Sequence, residues 1–237
     1  FFDLSRVSQK DMARPLFIHL DMSLSGDKTG IAGVWITGKR PQQVGSNDPS
    51  KELEFKLAFS VSVKAPKGFQ VSFEKNRNFI RWLRDRGFAI KGVSSDTYQS
   101  AQIQQQLKSD GFKTKIISVD RVDSDRVCKP YAFLKSSIYE RHIKLYKKCD
   151  LLTEELTSLE RLSDGHIDHP KNFSKDQADA VCGALFLASE FAEEYSYDYG
   201  ESLDTSLEVN EAPDEFRKHQ MIAEFQEELN KIYAEMY

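Results

Sequence analysis

Apolar runs and strict alternation of apolar and polar residues mark the first quarter of the chain. They predict three strands, at residues 16–22, 31–37 and 55–63. The segments between them are polar and contain glycine, which is typical of links between neighbouring strands. We therefore predict an antiparallel meander of three strands.

The spacing of apolar residues becomes helical from Phe73 onward, and strands then alternate with helices. A strand, a helix and a strand of these lengths form a parallel crossover unit. Ser174 and Gln177 match a capping box, so Ser174 is predicted to be the N-cap of a long helix. The predicted elements are helices at 73–86 and 98–108, strands at 88–95 and 115–119, and helices or mixed segments at 133–147, 150–162, 174–191 and 216–237.

These elements divide the chain into four segments. Residues 1–14 are predicted to be a linker or N-terminal remnant, and residues 15–192 a single α/β domain. Residues 193–215 form an acidic segment, and residues 216–237 an amphipathic C-terminal helix. The sequence lacks an initiator Met, so we expect it to be part of a longer protein.

The charge distribution is uneven. The net charge is −4, but residues 193–215 carry nine acidic side chains and no Lys or Arg. The rest of the chain has 33 basic and 28 acidic residues, a net charge of +5. This balance permits a phosphate-binding surface without requiring one.

Two classes of protein are disfavoured by the sequence. No apolar run approaches the roughly 20 residues of a membrane-spanning helix, and no signal peptide is visible. The three cysteines, Cys128, Cys149 and Cys182, form no CxxC pair, so we expect reduced thiols rather than disulfides or a zinc site. We expect no membrane partner.

Three aspartates carry the candidate chemistry. Asp21 and Asp96 each end an apolar run, and Asp179 lies in the first turns of a helix. An Asp at a strand end often caps a turn, but Asp179 aligns with Cys182 and Phe186 on a core-facing stripe, where an unpartnered carboxylate is costly. Converging carboxylates repel each other, and a divalent cation relieves that repulsion.

Three segments, FIHLDMSLSGDKTGIAGVWI, IKGVSSDTYQSAQIQQQLKSDGF and KDQADAVCGAL, carry these aspartates. In this order they resemble the nuclease domain of the large terminase subunit of tailed bacteriophages, over residues 15–192. The order of elements resembles the ribonuclease-H-like fold. The resemblance implies a mixed sheet of five or more strands, an antiparallel meander followed by parallel αβ units, flanked by helices.

The resemblance also implies an endonuclease that cuts concatemeric viral DNA during genome packaging, in the host cytoplasm. It implies two Mg²⁺ or Mn²⁺ ions, with Asp21 bridging both and Asp96 and Asp179 each holding one. Asp176 is expected to be a further ligand, directly or through water. The implied partners are double-stranded DNA, an N-terminal packaging ATPase domain of the same polypeptide, the portal and the small terminase subunit. No G-x-x-x-x-G-K-[ST] motif occurs, so the ATPase domain is expected to lie outside this sequence.

Further residues are weaker candidates. Basic side chains in predicted loops are suited to contact DNA phosphates: Lys28, Lys39, Arg40, Arg121, Arg126 and Lys129. His166 and His169 form an H-x-x-H pattern, which without Cys or Glu at ligand spacing favours an exposed loop over a zinc site.

Two other functions remain open. The segment from Asp21 to Gly30 loosely resembles the first phosphate loop of actin-like and sugar-kinase-like ATP-binding domains, although no second glycine cluster follows. The acidic segment and terminal helix also suit a non-catalytic module that docks on the packaging motor. This second possibility is compatible with nuclease activity.

Overall fold

A mixed sheet lies at the centre of the molecule. The computed structural model describes residues 7–22, 28–39, 53–64, 71–96, 101–146, 148–171 and 173–192. Within these ranges the sheet consists of β1 (Leu16–Asp21), β2 (Lys28–Lys39), β3 (Leu53–Lys64), β4 (Ile90–Ser95), β5 (Thr114–Ile116) and β6 (Ile143–Lys144). Its order is β5-β4-β1-β2-β3-β6. The first three strands pair antiparallel, and β4 and β5 are parallel to β1, which confirms the predicted ribonuclease-H-like α/β arrangement.

Helices cover both faces of this sheet. They are α1 (Gln9–Met12), α2 (Phe73–Asp85), α3 (Ala101–Ser109), α4 (Lys129–Tyr139), α5 (Asp150–Ser158) and α6 (Asp176–Glu190). A two-stranded hairpin, β7 (Glu160–Arg161) and β8 (Ile167–Asp168), stands apart from the main sheet. None of the helices in the described ranges has the length and apolar character to cross a bilayer.

Two hydrophobic cores lie on opposite faces, because successive side chains of a strand point to opposite sides. Leu16, Ile18 and Leu20 of β1 pack in the core beneath α2 and α3. Phe17 packs in the other core, which contains residues of α4, α5 and α6. The central strand β1 therefore contributes to both cores.

Helix α6 lies between the sheet and the helices α4 and α5. From Gln177 to Ser189 nearly every residue is buried. A helix covered on all sides must be apolar all round rather than amphipathic. This explains the run of small and apolar residues in its sequence.

Several predicted elements differ from the observed ones. The strand predicted at 115–119 is observed at Thr114–Ile116, and the segment predicted at 150–162 consists of α5 and β7. Helix α4 was predicted at residues 133–147 but begins at Lys129. Pro130 is tolerated in the first turn, because a backbone N–H at that position has no partner within the helix. It ends at Tyr139, and residues 143–144 instead pair with β3 as an edge strand. Strand β2 is longer than predicted, since its pairing with β3 continues across Gly30 and Gly38.

The capping box predicted at Ser174 is wrong. The N-cap of α6 is Lys175, whose side chain makes no capping hydrogen bond. The Ser174 hydroxyl donates to a carboxylate oxygen of Glu155 instead, at 2.7 Å. A buried acid on a neighbouring helix therefore took the place of the local cap.

The segment 1–14, predicted to be a linker or N-terminal remnant, contains α1 in its described part. Asp11 of this helix is buried and forms ion pairs with Arg14 and Lys56. Val7 and Met12 pack against the core under α2 and α3. The acidic segment 193–215 and the helix predicted at 216–237 lie outside the described residues.

Candidate active site

The carboxyl ends of β1 and β4 lie at the same edge of the sheet, because the two strands are parallel neighbours. Asp21 is the last residue of β1, and Asp96 directly follows β4. Strand β2 begins at this edge, where Gly30 pairs with Asp21. Strands that were predicted separately thus bring two of the predicted acids to one place.

Helix α6 brings the other two predicted acids, Asp176 and Asp179, to the same edge of the sheet. Phe17, His19 and Asp21 alternate along the face of β1 that α6 covers: the ring of Phe17 lies 5.1 Å from that of Phe191, and His19 contacts the helix at Gly183. The first turn of α6, which carries Asp176 and Asp179, therefore arrives beside Asp21.

Gly30 permits this close approach. A Cβ at this position would stand 1.9 Å from the carbonyl oxygen of Asp176. Only a residue without a side chain lets the start of α6 lie against β2 at this distance. The glycine that pairs with Asp21 thus also positions the helix that carries Asp176.

The carboxylates affect one another strongly. The pKa of Asp21 is raised from 3.8 to about 8, first by burial and then by the negative charges of Asp179, Asp176, Asp96 and Asp120. A like charge acts in this way only over a short distance. The structure therefore gathers the four aspartates expected from the sequence, and adds a fifth acid, Asp120.

Asp120 was missed, although the sequence contained a signal for it. It follows the apolar run Ile116-Ile117-Ser118-Val119 just as Asp21 and Asp96 follow theirs. Strand β5 is parallel to β4, so the chain leaves it at the same edge of the sheet. The same pattern, an aspartate directly after an apolar run, identified Asp21 and Asp96 and would also have identified Asp120.

Asp179 is the most buried of the predicted acids, with 4% exposure. Its pKa is raised to about 7 by burial, against the opposing charge of Lys175. The buried hydroxyl of Tyr131 in α4 donates a hydrogen bond to its Oδ1. These partners satisfy a carboxylate that would otherwise be costly to bury, and they fix its orientation.

Lys175 places a positive charge among these acids. Its Nζ donates to Asp120 Oδ1 at 2.7 Å and to the carbonyl oxygen of Ile167 at 3.1 Å. The same nitrogen lies 3.6 Å from Asp179 Oδ2. The ammonium therefore connects two acids that belong to different elements.

Glu155 of α5 caps the N-terminus of α6. It is 2% exposed, and its Oε2 accepts hydrogen bonds from the backbone N–H groups of Gln177 and Ala178, both at 2.9 Å. These are N–H groups that a helix leaves without a partner in its first turn. No local sequence pattern pointed to Glu155, since it caps a helix distant in sequence.

His19 lies beneath Asp21 and is fully buried. Its Nδ1 lies 2.8 Å from the hydroxyl oxygen of Ser94, while its buried Nε2 has no hydrogen-bond partner among the described residues. Burial lowers the pKa of His19 to about 4, although Asp96 acts to raise it. The ring is therefore neutral at physiological pH.

The donor set suits a hard divalent cation. Carboxylate oxygens are the ligands that Mg²⁺ and Mn²⁺ prefer, and acids with raised pKa values, such as Asp21 and Asp179, become ionised more readily beside a cation. Within the described ranges, however, no three His, Cys, Asp or Glu side chains are already spaced to hold a metal ion. The residue types suit such a cation, whereas the spacing of the described side chains does not by itself form a coordination site.

The predicted basic residues are dispersed. Lys28 begins β2 at the edge that carries the acids, whereas Lys39 ends it about 36 Å away, at roughly 3.3 Å per residue. Arg121, Arg126 and Lys129 follow Asp120 and are exposed. Lys39 is therefore remote from the acids, and Arg40 lies outside the described residues.

The two histidines of the H-x-x-H pattern have local partners. His166 is exposed on the turn of the β7–β8 hairpin, and its Nδ1 lies 3.1 Å from an oxygen of Asp164. The Nδ1 of His169 lies 2.9 Å from the carbonyl oxygen of Pro170. The segment predicted to be a loop thus contains the turn and the second strand, β8, of a short hairpin.

Comparison with known proteins identifies the fold. No protein-family model and no curated protein matches the chain. Among solved structures, it is similar to the large terminase nuclease of thermophilic phage G20c, with a TM-score of 0.52 and 11% identity over 73% of this chain and 82% of that one. It is also similar to the large terminase of bacteriophage HK97, with a TM-score of 0.52 and 12% identity over 73% of this chain and 39% of that one. The resemblance predicted from three sequence segments is thus confirmed at the level of fold: the chain has the ribonuclease-H-like fold of phage large terminase nucleases.

Proposed function

We propose that this chain is a divalent-metal-dependent endodeoxyribonuclease that cuts concatemeric viral DNA during genome packaging. The observation that carries the proposal is the placement of Asp21 at the end of β1, beside the end of the parallel strand β4 with Asp96 and the first turn of α6 with Asp176 and Asp179. Burial and the neighbouring carboxylates raise the pKa of Asp21. Perturbed acids of this kind cluster at functional sites. The fold shared with large terminase nucleases supports the same assignment.

In this proposal Asp21, Asp96 and Asp179 hold two Mg²⁺ or Mn²⁺ ions, with Asp176 as a further ligand. Two such ions, when bound, supply an activated water and stabilise the leaving oxygen of a phosphodiester. The chain itself supplies orientation. Tyr131 fixes one oxygen of Asp179, and Glu155 fixes the first turn of α6, so the position of Asp179 is set before substrate arrives.

The substrate proposed for the site is double-stranded DNA. Lys28, Arg121, Arg126 and Lys129 flank the acids along the chain and supply positive charge for phosphate contacts. The implied partners are an N-terminal packaging ATPase domain of the same polypeptide, the portal and the small terminase subunit, with the host cytoplasm as the place of action. The chain matches 39% of the length of the HK97 large terminase, which leaves room for a further domain in a protein of that kind.

Plasmid nicking with Mn²⁺ tests the proposal. We expect the wild-type chain to convert supercoiled plasmid to nicked and linear forms, and Asp21→Asn to lose at least about a hundredfold of the rate, since an essential charge of the metal site is removed. Asp85→Asn is a matched control, because Asp85 is 67% exposed at the end of α2. It is expected to retain the wild-type rate.

Full activity in Asp21→Asn would refute the assignment. Melting temperatures of the same two proteins distinguish the nuclease from the ATP-binding alternative, because a ligand that binds the folded state raises the melting temperature. We expect Mn²⁺ to raise it and ATP without metal to leave it unchanged. A rise with ATP in both the wild type and Asp21→Asn would favour the ATP-binding domain.

A further inference from the structure

Lys175 occupies an unusual position for a lysine. It is the N-cap of α6, where Ser, Thr, Asp and Asn are preferred because their side chains accept backbone N–H groups. A positive charge at a helix N-terminus is also disfavoured by the helix dipole. Glu155 instead accepts the backbone N–H groups at the start of α6, so the Lys175 side chain takes no part in capping.

That side chain is directed into the acid cluster. It is 17% exposed, against 6% for the side chain of Asp179. Its ammonium donates to Asp120 at 2.7 Å and to the carbonyl oxygen of Ile167 at 3.1 Å, and lies 3.6 Å from Asp179 Oδ2. Two carboxylates and a carbonyl oxygen around one cation are also the oxygen donors that Mg²⁺ and Mn²⁺ prefer.

The ammonium of Lys175 pairs with two carboxylates. A lysine side chain is charged at physiological pH, and its Nζ lies 2.7 Å from Asp120 Oδ1 and 3.6 Å from Asp179 Oδ2. A full positive charge therefore stands between two acids, one of which is a proposed metal ligand. A divalent cation that binds Asp179 meets this charge at a distance where like charges repel strongly.

We propose that Lys175 sets the metal affinity of the site, because its ammonium lies against the proposed ligand Asp179 and is displaced when a divalent cation binds that carboxylate. This inference rests on the proposed function. Its consequence is that metal binding breaks the contact between Lys175 and Asp120 and frees the ammonium. The ammonium offsets part of the negative charge of Asp120 and Asp179 in the metal-free protein.

Calorimetric titration of Mn²⁺ into the full metal-free chain tests this. Lys175→Met keeps the length of the side chain and removes its charge, and we expect it to lower the Kd for Mn²⁺ at least about fivefold. Lys175→Arg keeps the charge and is expected to stay within about twofold of the wild type. Lys171→Met, at an exposed position nearby, is the surface control and should bind as the wild type does.

Thermal unfolding separates this role from a structural one. We expect Lys175→Met to have a lower melting temperature than the wild type without metal, and to recover it fully with saturating Mn²⁺. An equal loss with and without Mn²⁺, or an unchanged or raised Kd, would overturn the proposal.

Lysine-selective ¹⁵N NMR gives a second measurement that uses the wild-type chain. The Lys175 ammonium signal, assigned by its absence from Lys175→Arg, should be protected from exchange without metal and lose that protection with Mg²⁺. A signal that saturating Mg²⁺ leaves unchanged contradicts the proposal.

The two proposals fail in different ways. If the wild type binds Mn²⁺ and Asp21→Asn does not, but Lys175→Met binds no more tightly, the role of Lys175 is wrong and the metal site stands. If the wild type binds no divalent cation, both proposals are wrong.

Discussion

The ring of His19 lies where a side chain at Gly183 would have to stand: a Cβ on this glycine would be 2.3 Å from the Cγ of the histidine. Helix α6 therefore lies against β1 at a distance that only glycine permits. The contact joins the buried layer of the sheet directly below Asp21 to the helix that carries Asp179.

We expect Gly183→Ala to destabilise the protein by about 1–3 kcal/mol, since an overpacked contact forces the helix or the ring to move. This outcome opposes helix propensity, which favours Ala over Gly by about 1 kcal/mol. Gly38→Ala is the control, because a Cβ there meets nothing within 4 Å. Urea unfolding measures both, and equal stability of Gly183→Ala and the wild type would show that the contact is adaptable.

Glu155→Ala should destabilise the protein by about 1–3 kcal/mol, the cost of leaving buried hydrogen-bonding groups without partners. It removes the acceptor for Gln177, Ala178 and Ser174. Because these residues begin α6, we also expect weaker Mn²⁺ binding. Glu154→Ala, at the exposed neighbouring position, is the control. Calorimetry and urea unfolding measure the two effects, and wild-type values for Glu155→Ala would contradict the capping role.

The metal-free protein should become less stable as the pH rises. The folded-state pKa values of Asp21 and Asp179 are about 8 and about 7, above their ordinary value of 3.8. The folded state therefore holds protons on Asp21 and Asp179 that the unfolded chain releases. The contribution of this proton binding to the free energy of unfolding is fully present below about pH 4 and is lost as the pH rises towards 8. His19, with its pKa lowered to about 4, is largely neutral in both states above about pH 7.

We accordingly expect the melting temperature without metal to fall between about pH 7 and about pH 8.5. Excess Mg²⁺ should oppose the fall, since it binds the ionised acids of the folded state. Asp21→Asn should flatten the profile. An identical slope in the wild type and in this variant would mean that Asp21 does not titrate in the range.

Tyr131→Phe tests the partner of Asp179. The hydrogen bond from this hydroxyl lowers the pKa of Asp179, so its loss should leave the acid protonated to a higher pH. We expect weaker Mn²⁺ binding at about pH 6.5 and recovery towards the wild-type Kd at about pH 8.5. Tyr139→Phe, on the same helix but 77% exposed, should bind as the wild type does at both values. A loss that does not depend on pH would indicate damage to packing instead.

DNA binding should depend on the basic residues near the acids. We expect Arg121→Ala with Lys129→Ala to weaken binding of a DNA duplex and to reduce the salt dependence of the binding constant, because fewer counterions are released. Lys39→Ala is the matched control, since Lys39 lies at the far end of β2. Fluorescence anisotropy at several salt concentrations measures this. An equal effect of the control would place the duplex on another surface.

The strands and the predicted acids could be recognised from the sequence because both depend on local pattern. Asp21 and Asp96 end apolar runs, and the parallel order of β1 and β4 then brings them together. Asp179 was identifiable because it interrupts a core-facing stripe. Asp120 followed the same rule after β5.

The partners of these acids depend on contacts between distant segments. Tyr131 and Lys175 are ordinary residues in their local sequence and become meaningful only beside Asp179. Ser174 illustrates the reverse case: its local pattern predicts a cap, but Glu155 offers a buried carboxylate that satisfies two backbone groups at once. The cap predicted from the local sequence did not form, because the side chain of Glu155, which is distant in sequence, accepts these hydrogen bonds instead.

The packing of Phe191 on Phe17 joins the last described helix to the first strand of the sheet. During synthesis, the face of β1 that α6 covers must wait for nearly the whole domain to emerge from the ribosome. Contacts between such distant segments slow folding and leave apolar surface open to aggregation meanwhile. A chain shortened before α6 should therefore be insoluble rather than merely inactive.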